Sequence, residues 1–390
     1  MKQQLLEKIP TPSYVIDEHK LVSNLEILGD IQTRSGCRIL LAQKAYCAFA
    51  TYPLIASYLS GSTASGLYEA RLGAEEMGGE THVFSVAYKP EEMKELVGLC
   101  SHISFNSVTQ LSKYRELCMR AHVAMGLRIN PECSTQKTPI YDPCAPYSRL
   151  GVTRRNLDAG LAEDPGILAG VSGLHFHTLC EQNADALEKT LVSVEERFGD
   201  LLARDEITWL NMGGGHHITR PDYDRELLIS LVRRMQQKYH LTVYLEPGEA
   251  VALNAGYLIC EVLDIVDNGM PILILDASAA CHMPDVLEMP YTPPLLGAKI
   301  CHADEAQKEG IVCRLASRTC LAGDVIGDYL FEKMPAVGDR LCFEDMAIYS
   351  MVKNNTFNGM QLPSIYLLHE DGDCEEIRHF TYEDFKERLS

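Results

Sequence analysis

Between Arg38 and Leu245 the chain alternates short apolar segments, many with β-branched residues, with helix-like stretches rich in Glu, Leu, Lys and Ala, and it does so eight times. Parallel strands cannot be joined by a tight turn, so alternation of this kind predicts a parallel sheet with helical crossovers. The segments fall near residues 38–42, 61–65, 82–86, 102–105, 122–129, 171–176, 208–212 and 242–245. Eight such units match a single (β/α)8 barrel, whose chemistry sits at the carboxyl ends of its strands.

After Glu249 the texture changes to alternating apolar and polar residues with turn signals, as in Tyr257-Leu-Ile-Cys-Glu-Val-Leu-Asp-Ile-Val, Ile311-Val-Cys-Arg-Leu and Asp339-Arg-Leu-Cys-Phe. That pattern predicts antiparallel β structure. The predicted fold class is therefore α/β, with a (β/α)8 barrel over residues 32–246. A second, antiparallel β domain is expected from 1–31 and 247–390, with Ser13-Tyr-Val-Ile-Asp17 pairing into the C-terminal sheet. The stretch 131–150, with four prolines and the run Cys133-Ser-Thr-Gln-Lys137, reads as a long loop above the barrel, where function often lies.

Composition narrows the partners. A formal net charge of -19 disfavours a nucleic-acid backbone and tolerates cationic small molecules. No stretch approaches a membrane span, and Met1 to Pro10 lacks the apolar centre of a signal peptide. None of the 14 cysteines forms a Cys-x-x-Cys pair, so the expectation is a reduced, cytoplasmic protein.

Several polar residues fall at the predicted strand ends. Lys44 closes the apolar run Cys37-Arg-Ile-Leu-Leu-Ala-Gln-Lys44; an ammonium there must be paired, reach solvent or be neutralised by reaction with a carbonyl compound. Asn211-Met-Gly-Gly-Gly-His216 follows the seventh strand, where barrels commonly bind phosphate, and its glycines Gly213, Gly214 and Gly215 allow close backbone approach to an anion. Glu246-Pro-Gly-Glu249 follows the eighth. Its first carboxylate can serve as a base, a metal ligand, a structural ion pair or the partner of a protonated pyridine nitrogen. His175-Phe-His177 puts two imidazoles on one face of the sixth strand. A metal site would need further ligands, for which Glu246 and Asp276 are the main candidates; an imidazole stacked on a flat cofactor, or a satisfied core histidine, needs none. In the β region, Cys320 and Asp324 share a turn-like stretch, and Tyr349 adds a polar group.

This order of motifs resembles the fold-type III pyridoxal-phosphate decarboxylases over nearly the whole chain. Leu41-Ala-Gln-Lys44-Ala-Tyr, Ser148-Arg149-Leu-Gly151, Leu174-His-Phe-His-Thr-Leu-Cys-Glu-Gln182, Glu246-Pro-Gly-Glu249 and above all His282-Met-Pro-Asp-Val-Leu-Glu-Met-Pro-Tyr291 look most like the branch that acts on carboxylated polyamines. The resemblance implies pyridoxal 5'-phosphate bound through Lys44 as an imine, with His177 stacked on its ring and Glu246 on its pyridine nitrogen. It further implies that Gly213, Gly214, Gly215 and Tyr349 hold the phosphate and that Arg128 lies near the phenolic side. Cys320 would be the acid that protonates the carbanion. Arg149, Glu249, Asp285, Glu288 and Asp324 are the expected substrate-binding residues, the acids facing amines of a cationic tail. A homodimer with shared sites follows from the same likeness. The diaminopimelate and basic-amino-acid branches, the alternative substrates, have arginine after Glu-Pro-Gly where this chain has Glu249, so the phosphate must find other donors. A decarboxylase-shaped binding protein, the non-catalytic alternative, would be marked by loss of the lysine or the cysteine, and both are present.

Overall fold

The structure, a computed structural model, describes residues 8–136, 138–301 and 310–390. The chain divides into two compact units, one of residues 24–251 and one combining the N-terminal residues through Ser23 with Ala252–Ser390. The first strand, β1 (Ser13–Asp17), runs into the helix Glu18–Ser35. From Asn24 onward this helix bonds to the barrel: Asn24 donates to the Val251 carbonyl, and Gln32 bonds to Ile39 N–H and the Tyr58 carbonyl. The sequence-based boundaries at 31/32 and 246/247 therefore shift to 23/24 and 251/252. At the second boundary, Ala42 N–H donates to the Pro247 carbonyl and Thr219 to the Ala250 carbonyl, which ties Pro247 to Val251 into the barrel.

The barrel closes through eight parallel strands: β2 (Arg38–Ala42), β3 (Gly61–Ala64), β4 (Glu80–Phe84), β5 (His102–Phe105), β6 (Ala124–Arg128), β7 (Val171–His175), β8 (Trp209–Asn211) and β9 (Thr242–Leu245). β2 pairs with β3 on one side and β9 on the other. All eight predicted strands are present. β6 begins two residues later than expected because His122 adopts a left-handed conformation (φ 57°) and caps the helix Val108–Ala121. Strands such as Arg-Ile-Leu-Leu-Ala are buried on both faces, as a helix-covered sheet requires.

Trp209 opens β8 and fills the amino-terminal half of the barrel. A Cβ on Gly126 or Gly173 would come within 2.3 or 2.0 Å of its indole, so both neighbouring strands carry glycine there. The indole N–H donates to Ser172 Oγ at 3.0 Å. Beside it, the His82 and His102 rings stack 4.0 Å apart, and Tyr244 donates to Glu80 at 2.9 Å. Burial pushes the His82 ring down to about 4 and the His102 ring to about 3, so both imidazoles are neutral at physiological pH.

The second unit is a nine-stranded sheet, mostly antiparallel. Its central strand, β10 (Gly256–Asp267), pairs antiparallel with β1, with β11 (Pro271–Leu275) and with β15 (Arg340–Glu344). Beyond β11 lie β13 (Ile311–Ser317), β14 (Val325–Phe331) and β12 (Lys299–Ile300); beyond β1 lie β16 (Ser364–Leu368) and β17 (Cys374–Arg378). The predicted recruitment of the N-terminal strand holds: Ser13–Asp17 pairs antiparallel with β10 and parallel with β16. Tyr14, Leu258, Tyr329 and Phe343 lie in the core of this sheet. Among the described residues, no helix is long and apolar enough to cross a membrane.

Candidate active site

The carboxyl ends of β2, β6, β7, β8 and β9 bring Lys44, Arg128, His175, His177, Asn211, Gly213, Gly214, Gly215 and Glu246 to one end of the barrel. Lys44 follows Gln43, whose buried amide donates to the Glu69 carbonyl at 2.8 Å and accepts from the Tyr52 hydroxyl at 3.0 Å. The Lys44 side chain has access to solvent along the barrel mouth, but protein crowds its amine. That crowding, and next the Arg128 guanidinium, lower its pKa from the ordinary 10.5, against attraction from Glu246 and Glu249. A lowered pKa raises the share of unprotonated amine, the form that attacks a carbonyl carbon.

Glu246 follows β9 directly. Its Oε1 accepts from Asn211 Nδ2 at 2.7 Å, and its Oε2 lies 3.5 Å from His175 Nε2. Burial alone would raise its pKa; attraction to the His175 ring and the Asn211 bond reverse this, and the carboxyl stays ionised below its usual range. The tight exit of β9 depends on Gly248, where a Cβ would sit 2.6 Å from that of Ala45.

The glycine run is built into the wall of the barrel. A Cβ on Gly214 would meet the Glu246 carbonyl at 2.3 Å, while Gly213 and Gly215 have φ of 70° and 79°. Two of its N–H groups already have acceptors: Gly213 donates to Asn211 Oδ1 at 2.8 Å and Gly214 to His177 Nδ1 at 2.9 Å. The expectation that three backbone N–H groups point at an anion is thus corrected. The bond from Gly214 also fixes the proton of neutral His177 on Nε2, and burial followed by the Lys44 charge keeps that ring well below its usual pKa. A neutral, oriented imidazole at 177 suits stacking on an aromatic ring.

Arg128 is buried, lies 4.3 Å over the Phe84 ring and donates to the His177 carbonyl at 3.2 Å; burial pushes its pKa down to about 10. Arg149 is exposed, and its carbonyl accepts from Asn106. Glu249 pairs with His217 Nε2 at 3.2 Å. The histidines at 175 and 177 and Asp276 form no metal cluster among the described residues: Asp276 belongs to the sheet unit and accepts from Glu261 N–H. Groups of His and acid oxygens within 4.8 Å of one another do occur at Glu80, His82 and His102 and at Glu181, His217 and Glu249.

The remaining predicted residues lie in the sheet unit. Cys320 is exposed, and its N–H donates to Asn358 Oδ1 at 2.9 Å. Asp324, expected to face a substrate amine, is buried and already accepts from Ser278 at 2.7 Å, Thr319 at 2.5 Å and Ala280 N–H at 3.2 Å. These bonds shape the turn that carries Cys320. Asp285 and Glu288, one turn apart on the short helix Asp285–Glu288, both bind the Lys353 ammonium. Tyr349 has a positive φ of 48°. Lys137 lies outside the described residues. Sequence reasoning missed Asn211, His217, Lys353 and Asn358; Asn211 was legible as the polar residue that ends β8 two positions before the glycine run.

A family profile described as "Pyridoxal-dependent decarboxylase, C-terminal sheet domain" matches residues 13–347. A carboxynorspermidine/carboxyspermidine decarboxylase of Campylobacter jejuni is 41% identical over 391 residues, covering 98% of this chain and 99% of that protein. A carboxyaminopropylagmatine decarboxylase of Synechocystis is 42% identical over 386 residues, covering 98% and 96%. The crystal structure of carboxynorspermidine decarboxylase with norspermidine, from Campylobacter jejuni, superposes with a TM-score of 0.88 at 40% identity, over 97% of this chain and 100% of that one. Diaminopimelate decarboxylase from Helicobacter pylori shares the fold, with a TM-score of 0.83 at 17% identity.

Proposed function

Because this chain belongs to the pyridoxal-dependent decarboxylases, we propose that it removes carbon dioxide from carboxynorspermidine or carboxyspermidine, giving norspermidine or spermidine in polyamine biosynthesis. The observation that carries this reading is full-length identity of 41% to a relative of that activity, together with an amine and an ionised carboxylate at the same barrel mouth.

The residues present fit pyridoxal phosphate. Lys44 offers a weakly basic amine, Glu246 a charged partner for a pyridine nitrogen, and His177 a neutral ring. When bound, the cofactor supplies the electron sink that makes loss of carbon dioxide feasible. The chain's own part is positioning. Lys44 would hold the cofactor covalently, Glu246 would keep its pyridine nitrogen protonated, and His177 would cover one face of the ring. Gly215 and Tyr349 would meet the phosphate and Arg128 the phenolic side, while Cys320 would return a proton to the substrate carbon. Asp285 and Glu288 already hold one ammonium, that of Lys353, which supports their suitability for a substrate amine. Glu249 and Arg149 complete the proposed substrate contacts. All fourteen cysteines are free, which supports a reducing, cytoplasmic setting.

A second reading, carboxyaminopropylagmatine as the substrate, is favoured by the 42% relative. Measured side by side, carbon dioxide release should be fastest from carboxynorspermidine or carboxyspermidine. Faster release from carboxyaminopropylagmatine selects the second reading, and comparable release from meso-diaminopimelate removes both.

The active form is a twofold dimer in which the Cys320 loop serves the partner's barrel. Its exposure on the loop after β13 supports this. A twofold interface repeats each contact, so mixing inactive Lys44→Ala and Cys320→Ala proteins yields heterodimers with one intact site. Recovered activity should approach roughly a quarter of wild type. No recovery after subunit exchange confirmed by mass would show that Cys320 serves its own barrel or none.

A further inference from the structure

His175 is 2% exposed, yet among the described residues neither of its ring nitrogens makes a hydrogen bond. Buried polar atoms without partners are rare, and one beside a functional carboxylate needs a physical reason. His175 is the last residue of β7, registered between Arg128 at the end of β6 and Asn211 at the end of β8. Its Nε2 lies 3.5 Å from Glu246 Oε2, while Asn211 donates to Oε1 of the same carboxylate at 2.7 Å. The Phe84 ring packs at right angles to the imidazole, with centroids 5.4 Å apart.

We propose that His175 is a positioning residue for Glu246: as the Nε2–H tautomer it holds one carboxylate oxygen while Asn211 holds the other, fixing the ionised group towards the cofactor's pyridine nitrogen. The inference rests on the role given to Glu246 above. The groups acting on the ring are Glu246, which favours its charged form, and Arg128 on β6 and His82 on β4, which oppose it; with burial, the opposing influences win and the ring is neutral. A neutral imidazole carries one N–H. On Nε2 that proton attracts the carboxylate, whereas on Nδ1 it would leave a lone pair facing Glu246 Oε2. The 3.5 Å separation is long for a finished bond and is of the kind that tightens when the catalytic group is engaged. Each carboxylate oxygen then has one neutral donor, so neither of the two groups that hold it competes as a cation with the pyridinium.

In holoenzyme labelled with 15N-histidine, His175 should be protonated on Nε2 and bare on Nδ1 at neutral pH; the opposite tautomer, or a charged ring, overturns the proposal. His175→Phe should lower kcat about tenfold, the lower end for partners that orient a functional ligand, at unchanged KM and cofactor content. With 15N-pyridoxal phosphate, the pyridine nitrogen of that variant should lose its proton at lower pH than in wild type. His175→Gln, which restores an N–H donor, should recover most of both effects. An unshifted pyridine titration in His175→Phe overturns the proposal. Should that variant not fold, His175→Asn, whose shorter amide falls away from Oε2, takes its place under the same criterion. If Lys44 proves not to carry the cofactor, the proposed function itself fails. If Lys44 carries it and Glu246→Gln is impaired while the His175 results are negative, only the present inference falls.

Discussion

Replacing Lys44 with alanine is expected to lower turnover by on the order of a thousandfold or more, the scale on which loss of a covalent catalyst is felt, while the chain stays folded. Of the barrel site residues described above, Lys44 is the only amine, so none of the others can take over the covalent link. Its removal should not weaken the apoprotein. Burial and then Arg128 lower the folded pKa, so the ammonium form costs stability at neutral pH, and that cost fades as the pH rises towards the ordinary 10.5. At neutral pH the apo variant should therefore melt no lower than wild type. The measurement is borohydride reduction followed by peptide mass mapping, with thermal melts alongside. A reduced adduct on a different lysine would refute the assignment.

Glu246→Gln should keep its cofactor and lose kcat by on the order of a hundredfold to a thousandfold, the range for removal of one preorganised electrostatic partner. The substituted amide can still accept from Asn211, so the local fold survives; what disappears is the charge proposed to hold a proton on the pyridine nitrogen. The folded carboxyl titrates below its ordinary 4.5, so its ionised form contributes stability that is present above pH 4.5 and lost as the pH falls through the folded value. The neutral-pH rate profile of wild type should accordingly carry no titration from Glu246. Steady-state kinetics and cofactor content measured together decide the matter: an unchanged kcat would reduce Glu246 to a structural ion pair.

Much of the barrel was legible because its strands are buried on both faces and must be apolar throughout, as in the run from Ile39 to Ala42. The polar residues that interrupt or follow such strands, Lys44, His177 and Glu246, stood out for the same reason. What could not be read were the bonds between them. The glycines at 213 and 214 give no hint in sequence that their N–H groups are committed to Asn211 and His177, which lie on different strand ends. Asp324 looked available because spacing places it beside Cys320, but burial and three donors occupy it. Domain boundaries were blurred by a helix: Glu18–Ser35 has no break in pattern at Ser23, where its contacts change.

The chain contains one tryptophan, and it is the residue that fills the amino-terminal half of the barrel against Gly126 and Gly173. Its fluorescence is therefore a probe of one unit alone. The sheet unit carries no indole, so its unfolding is silent at the red edge of protein excitation, and barrel melting can be followed without it. Placed at the first residue of β8, with Asn211 at the other end of the same short strand, the indole is also within energy-transfer range of a pyridoxal chromophore held at the proposed site. Loading of the barrel would be visible as quenching of a single, unambiguous emitter.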